Sequence, residues 1–456
     1  MTHRQTKTVF LASLLCVAAC APHAINKSPV PQQPISRSFT IGEAAPVASG
    51  AWYEQFHDTG LNQLVDTALK NNFDVAQAIA RLKQAGFLSE AASASRLPSV
   101  DIAADTGLAR EKGGSLESAS RAGVALDWEI DAFDRISSAV TARQFEERAA
   151  ADDVDTVRMS LSAEVAEAYF RAVAQNVQLR LLHLQADTDG HLLDLVKQRN
   201  DAGVGTNVQV LQQQSQLAEN ESLIPPNEAA LRVYENRIDV LTGTVPDSAN
   251  RVSADADFSD IGTLPAIGVP SDLLLNRPDL RALKNLLIAQ DAEIGAAIAD
   301  RLPRVTLSGS YMMAAGPDAG AGYAASALAG LVQPFLDWGR RKAEVERNKA
   351  LYEERLAGFT LAYLEAVEDV ENALYQESRQ REYIARLEAR SKVLHDSLDA
   401  AQSVYTQGES DYLPVLNAVR DLRGVERDLV TQRLNLILYR IQLYRALGGQ
   451  AYKGAA

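Results

Sequence analysis

Gly123-Val124-Ala125-Leu126-Asp127-Trp128-Glu129-Ile130-Asp131-Ala132-Phe133 decides the fold class. Val124, Leu126, Trp128, Ile130 and Ala132 share one parity; Gly123, Ala125, Asp127, Glu129 and Asp131 share the other. A period of two puts the apolar set on one face of a strand and the acidic set on the other. About ten residues is the length a tilted strand needs to cross a bilayer. The acidic face fits a water-filled lumen, although a plain solvent-facing sheet would read the same. Upstream, Val100, Ile102, Ala104 and Thr106 alternate with Asp101, Ala103 and Asp105 as a partner strand. Glu111 to Ser120, with Gly113-Gly114, reads as the loop between them.

The same order returns later in the chain. Asn72-Phe73-Asp74 recurs in type as Arg277-Pro278-Asp279, and Arg96-Leu97-Pro98-Ser99-Val100 as Arg301-Leu302-Pro303-Arg304-Val305. Phe133-Asp134-Arg135 answers to Trp338-Gly339-Arg340, Gly203 to Gly408, Val210-Leu211 to Val415-Leu416, and Gly243 to Gly448. Every offset is 205 residues, so the chain is a duplication. The second β pair is Val305 to Met313 and Tyr323 to Phe335, around a loop from Ala314 to Gly322. Four strands cannot close a barrel, so they must pair with other copies of the chain.

Helices fill the rest. Each repeat starts with one, from Leu61 to about Arg96 and from Asp279 to Leu302, ended by Pro98 and Pro303. After each β pair no proline interrupts Arg135 to Gly203 or Gly339 to Gly408. Each stretch would be about 100 Å long as a helix. Val154, Leu161, Ala168, Gln175 and Leu182 recur every seven residues, as do Val165, Ala172, Leu179, Ala186 and Leu193. This is coiled-coil spacing with small residues that allow close packing. Tight turns at Gly203-Val204-Gly205-Thr206 and Gly408-Glu409-Ser410-Asp411 reverse the chain; Thr206 or Ser410 can cap the returning helix. The returns run from Asn207 to Leu241, with a break expected at Pro225-Pro226, and from Asp411 to Leu447.

The chain has 456 residues, 46% apolar, with 45 Lys and Arg against 59 Asp and Glu. A net charge of −14 argues against a nucleic-acid partner. A mean hydropathy of −0.14 excludes a multi-span helical protein. His3, Arg4 and Lys7 followed by the apolar run Val9 to Ala19 read as a signal peptide. Val17-Ala18-Ala19-Cys20 resembles a bacterial lipobox, which would make Cys20 the lipidation site; an ordinary signal with its cleavage site beside a cysteine is the plainer reading. Cys16 would leave with the signal, and no thiol would remain for a disulfide or metal site. The resulting map is signal 1–19, tether 20–50, first repeat 51–243, linker 244–271, second repeat 272–449 and tail 450–456. The β pairs occupy 99–133 and 304–335, and the helical hairpins 135–242 and 339–447.

These features, with Arg277-Pro278-Asp279-Leu280-Arg281, Ile224-Pro225-Pro226 and Arg445-Ala446-Leu447-Gly448-Gly449, resemble the outer-membrane efflux protein family. The TolC-like and OprM-like channel tunnels belong there, and the lipobox points to the NodT-type lipoprotein branch. The resemblance spans about residues 50 to 450. It implies a mainly α fold with a small β part: a homotrimer whose helical hairpins form a periplasmic α-barrel and whose strands form a 12-stranded transmembrane β-barrel. It implies the bacterial outer membrane as location and outer-membrane lipid around the barrel. A periplasmic membrane-fusion adaptor and an inner-membrane efflux pump, of resistance-nodulation-division type, would complete an exit path for drugs or other toxic small molecules. It further implies that Gly203, Val204, Gly205 and Thr206, with Gly408, Glu409, Ser410 and Asp411, dock the adaptor. Gln209, Tyr405, Leu413, Asn417 and Arg420 fall at the family's periplasmic aperture. Asn417 and Gln209 depart from it, because amides stand where carboxylates are common.

Two other classes compete. A periplasmic coiled-coil adaptor or structural lipoprotein would also have long hairpins and a lipobox, but not the doubled alternating strands. An enzyme is disfavoured: the six histidines (His3, His23, His57, His183, His191, His395) show no metal spacing, and no G-x-S-x-G or P-loop motif occurs. Glu164, Glu167, Glu365 and Glu368, at i, i+3 on helices, read as solvated faces rather than acid/base pairs. No cofactor or metal is expected.

Overall fold

The computed structural model describes residues 22–41, 51–110, 116–316 and 320–449. Cys20, the signal peptide and the tail lie outside them. Nine α-helices and four strands are described: α1 Thr59–Asn71, α2 Phe73–Ala94, β1 Ser99–Arg110, β2 Leu116–Ile130, α3 Arg135–Asp201, α4 Asn207–Ser222, α5 Ile224–Leu241, α6 Leu273–Asn276, α7 Pro278–Ala299, β3 Arg304–Gly316, β4 Gly320–Val332, α8 Arg340–Thr406 and α9 Leu413–Ala446. The duplication holds to the residue at several bounds. Helices α2 and α7 have 22 residues each, α3 and α8 have 67 each, and each pair starts 205 apart. Positive φ repeats too: Gly203 and Gly408 at +74° and +76°, Asp134 and Gly339 at +57° and +86°.

The structure differs from the expected elements in several places. The first helix is two helices. Asn72 sits between them, accepting the N–H groups of Asp74 (2.7 Å) and Val75 while donating to the Leu241 carbonyl (3.0 Å). It therefore starts α2 as a cap. The same break precedes Pro278 in the second repeat. Strands β2 and β3 reach into the expected loops, so 116–120 and 314–316 are strand; the loop cores at 111–115 and 317–319 lie outside the described residues. Strands β2 and β4 stop at Ile130 and Val332, short of Phe133 and Phe335. The first return helix breaks at Leu223, where Pro225 and Pro226 occupy the first turn of α5 and contribute no N–H.

The chain divides into two compact units. The first comprises Ile79–Asp153, Asp279–Ala362 and the N-terminal stretch up to Pro34. It holds one antiparallel sheet in the order β1-β2-β3-β4, so β2 and β3 join the two repeats. Register places Val100 opposite Leu126, Ile102 opposite Val124, Val124 opposite Tyr311, Trp128 opposite Leu307 and Met313 opposite Tyr323. One face is therefore mainly apolar, interrupted by the Thr106–Ser120 pair (3.0 Å); Tyr311 and Tyr323 stack on it at 5.9 Å. Asp101, Asp105, Asp127, Glu129, Thr306, Ser308 and Ser310 lie on the other. In the same unit, the described part of the expected tether is pinned to α7 and α8. Asp291 accepts from the ring of His23 (2.9 Å) and the Asn26 N–H (2.6 Å), Thr360 accepts from the Gln32 N–H (3.1 Å), and Ile25 packs on Phe145, Ile288 and Ala289.

The second unit comprises Ile35–Ala78, Val154–Pro278 and the chain from Tyr363 onward. Trp52, Tyr53 and Phe56 meet Phe170 and Tyr444 edge-on or tilted in its aromatic core. The expected linker 244–271 is a belt clipped to helices by guanidinium groups. Without regular structure, its carbonyls need outside donors. Arg180 supplies Ala254 and Ala256, Arg381 supplies Gly262 (2.6 Å), and Arg440 supplies Ile261 (2.8 Å) and Thr263 (3.0 Å). Among the described residues no helix is long and apolar enough to cross a membrane.

Candidate functional site

Both long helices end in the same way. The Gly203 N–H donates to Asn200 O and the Val204 N–H to Arg199 O, each at 3.0 Å. The Gly408 N–H donates to Tyr405 O (3.0 Å) and the Glu409 N–H to Val404 O (3.1 Å). This double bond pattern with a left-handed glycine closes the last helical turn and reverses the chain. No atom lies within 4 Å of an added Cβ at either glycine, so the requirement there is for φ, not for space.

The restarts differ. Thr206 caps α4 in a reciprocal box, its Oγ1 taking the Gln209 N–H and its own N–H donating to Gln209 Oε1 at 3.2 Å. Ser410 does not cap α9; its hydroxyl donates to the Asp411 carbonyl at 3.0 Å. Asp411 instead accepts the Tyr412 N–H at 2.6 Å and the Gln209 side-chain N–H at 2.8 Å, and α9, which begins at Leu413, has no side-chain cap. The Tyr412 N–H and then the Gln209 amide hold its carboxyl below the usual carboxylate range. Gln209 thus bridges the two turns. A glutamate there would have no donor for Asp411 and would oppose its charge, which accounts for the amide. The exposed rim of the pair consists of Gly203, Val204, Thr206, Gly408 and Glu409, with Gly205 and Ser410 half-buried.

Below the turns, Tyr405 is buried, not presented outward. It packs with Leu193, Val196, Val210, Tyr412, Val415, Leu416 and Val419, drawn from α3, α4, α8 and α9. The Arg199 guanidinium lies 4.5 Å over its ring, and its hydroxyl has no hydrogen-bond partner among the described residues. Leu413, Asn417 and Arg420 are exposed along one side of α9. Arg420 reaches back to Gln216 (3.0 Å) and Glu219 (3.4 Å) on α4. Gln209, Leu413, Asn417 and Arg420 thus share one end of the hairpins, while Tyr405 supports them from inside.

Sequence reasoning missed the group beneath. Asp189 and Gln213 are fully buried at 0% exposure and Arg423 at 5%. Asp189 pairs with Arg423 and takes the Gln213 side-chain N–H at 3.0 Å; the Tyr412 hydroxyl donates to Gln213 Oε1 at 2.5 Å. Burial pushes the Tyr412 phenol well above its ordinary range, which keeps it a donor. The signal was available: the series Val154, Leu161, Ala168, Gln175, Leu182 continues to Asp189 and Val196, so a carboxylate sits at a core heptad position. No cluster of His, Cys, Asp and Glu able to hold a metal occurs among the described residues.

Comparison with known proteins agrees with this architecture. The family described as outer membrane efflux protein matches residues 64–244 and 269–449, one match per repeat. The solvent efflux pump outer membrane protein SrpC of Pseudomonas putida is 30% identical over 437 residues, covering 90% of this chain and 88% of that protein. Nodulation protein T of Rhizobium leguminosarum bv. viciae is 27% identical over 433 residues, covering 92% and 89%. The solved outer-membrane channel OprN superposes with a TM-score of 0.84 at 28% identity, covering 92% of this chain and 98% of that one.

Proposed function

This chain belongs to the outer membrane efflux protein family, and on that premise we propose how its residues divide the work of the exit duct of a tripartite efflux system. The protein is an outer-membrane channel and not an enzyme; it moves small solutes passively, with energy supplied elsewhere in the system. The observation that carries the reading is the sheet. Its one apolar face suits lipid and its acidic and hydroxyl-bearing face suits a wet lumen. Strands β1 and β4 each keep an unpaired edge among the described residues. Backbone groups in hydrocarbon must all be bonded, so those edges need neighbouring copies. Three copies would supply 12 strands, and the sheet would close as a homotrimer.

The finer assignments are the following. The rims Gly203–Thr206 and Gly408–Asp411 receive a periplasmic membrane-fusion adaptor, which joins the channel to an inner-membrane pump of resistance-nodulation-division type. Leu413, Asn417 and Arg420, with Gln209 behind them and Tyr405 as their support, form the periplasmic aperture. Cys20 carries acyl chains that anchor the N-terminus in the bilayer, and the pinned segment after it leads the chain onto the helices. SrpC is named for solvent efflux; small toxic organic compounds are the cargo class proposed here.

A ring of three carboxylates would bind cations and titrate; a ring of three Asn417 amides does neither. The closed end is therefore less sensitive to divalent cations and pH than an aperture ringed by carboxylates. The experiment is single-channel conductance of the purified protein in a planar bilayer, with and without millimolar divalent cation. The expected change is less than twofold for the parent and several-fold block for Asn417→Asp. Strong, pH-dependent block of the parent would overturn the aperture assignment. Metabolic labelling with palmitate, lost in Cys20→Ser, tests the anchor.

A further inference from the structure

Helix α9 enters the bundle with two sides of opposite character. Tyr412, Leu416, Val419 and Arg423 are buried along one side, at helical spacings of four, three and four. Leu413, Asn417 and Arg420 are exposed along the other. The buried side is tied at both ends. Tyr412 donates to Gln213 on α4 (2.5 Å) and Arg423 pairs with Asp189 on α3. Gln213 also donates to the Asp189 carbonyl (3.1 Å) and carboxylate (3.0 Å), so one fully buried chain of bonds links α9 of the second repeat to both helices of the first. Between the ties lies the shared apolar cluster of the tip.

We propose that the Tyr412–Gln213–Asp189–Arg423 quartet is a strut that positions the aperture residues of the closed end by fixing α9 against α3 and α4. This rests on the aperture reading of Leu413, Asn417 and Arg420. A strut and a latch differ physically. A latch must open within its working range, but separating α9 from α3 here would leave a desolvated aspartate and arginine without each other and expose the cluster. The quartet residues are positioning residues; none of them faces the solute path.

The test separates these cases with three variants: Asp189→Leu, Arg423→Met and the double Asp189→Leu/Arg423→Met. Conductance is recorded in planar bilayers on material that elutes as the intact assembly. The strut predicts that each single variant leaks, with closed-state conductance raised at least threefold. The double variant returns to within about 1.5-fold of the parent, because an apolar pair of similar size packs α9 against α3 again. A double variant as leaky as the singles would mean a latch, and singles indistinguishable from the parent would mean no positioning role; either overturns the proposal. Should the singles fail to assemble, Tyr412→Phe removes one tie only and predicts a smaller leak, and its absence would count equally against the strut. Hydrogen exchange at amides 413–423 keeps the aperture reading separate. Exchange at least tenfold faster in the singles, with parent rates in the double, supports the strut whatever lines the pore; unchanged conductance in Asn417→Asp would sink the aperture reading alone.

Discussion

Arg440→Met gives the sharpest stability prediction. Arg440 is 3% exposed and Glu377 is fully buried. The guanidinium grips both carboxylate oxygens, at 2.8 and 2.5 Å, and donates to the carbonyls of Ile261 and Thr263 at 2.8 and 3.0 Å. Removing one partner of such a pair costs about 3–5 kcal/mol, mostly by leaving the other charge buried. Arg381 remains 2.9 Å from Glu377 and supplies a second counter-charge, so the low end applies, about 3 kcal/mol. Methionine keeps the apolar stem, and the loss falls on the bonds that clip the belt. At about 1.4 kcal/mol per factor of ten, opening of the belt at 261–263 becomes about 150-fold more frequent. Limited proteolysis under conditions where cleavage follows the open population reads this directly, with cut sites mapped by mass spectrometry. Arg381→Met is the comparison; it loses a partly exposed bridge worth about 0–1 kcal/mol and the single bond to the Gly262 carbonyl, so its rise stays well below that of Arg440→Met. A rise under threefold for Arg440→Met, or an equal rise along the whole chain, would refute the reasoning.

Thr206→Ala removes half of the box that starts α4 and costs about 1 kcal/mol; amides 208–210 should exchange about fivefold faster, and those of α9 at parent rates. Gly448→Ala should be far worse than Gly203→Ala. Both force a left-handed alanine, about 1 kcal/mol each, but at Gly448 the new Cβ would also meet the Asn276 carbonyl oxygen at 2.7 Å while Gly203 is open. Relative thermal stability of the two assemblies checks the order. Asp411 has its carboxyl held below the ordinary value of 3.8, so its hold on the second turn is complete above that pH and fades as pH falls through the depressed value. Hydrogen exchange of the Tyr412 amide, corrected for the intrinsic pH dependence, should show protection constant from pH 7 to 5 and lost only below pH 4; loss already at pH 6 would contradict it.

Much of this was readable from the chain because the punctuation is local. Helices α3 and α8 end within two residues of the glycines that sequence marks as their stops, since only a left-handed residue lets the chain turn there. Strand parity likewise separates the apolar face from the acidic one without reference to partners. The β2–β3 pairing was not readable: its partner lies a whole repeat away, and parity is silent on neighbours. The α1–α2 break was missed because the apolar period runs on through Phe73, and one asparagine does not outweigh it. Only its counterpart before Pro278 gives the break away. Ser410 and Asp411 are equally good caps by composition, yet neither side chain caps α9, and Asp411 is held instead by Gln209 of the other hairpin. Asp189 was overlooked although its heptad position marks it as core; Arg423 was hidden because helical charges are usually solvated, and its exposure depends on packing that no local window contains.

The two repeats share bounds but not anchoring, and the difference lies in where charge was placed. Position 235 in α5 is glutamate, and its counterpart 205 residues on is Arg440. In the first repeat Asp239 takes its cation from the belt through Arg251, whose backbone N–H donates to Glu235 at 3.0 Å, while the cation beside Glu235 is Arg232 of α5 at 3.0 Å. In the second repeat the cation is on the return helix and the anion, Glu377, on α8. The same site thus meets the belt in both repeats, through carboxylates in the first and a guanidinium in the second, with Arg232 of α5 adding a bond to the Ala249 carbonyl at 3.2 Å. Arg423 has no such counterpart, because residue 218 is alanine. The second return helix is also the unbroken one, 34 residues against a first return split at Leu223. A helix tied at Tyr412, Arg423 and Arg440 and free of internal proline transmits a push along its axis. One broken by two prolines absorbs it. Stiffness is therefore concentrated in the helix that carries Leu413, Asn417 and Arg420, and compliance in its duplicate.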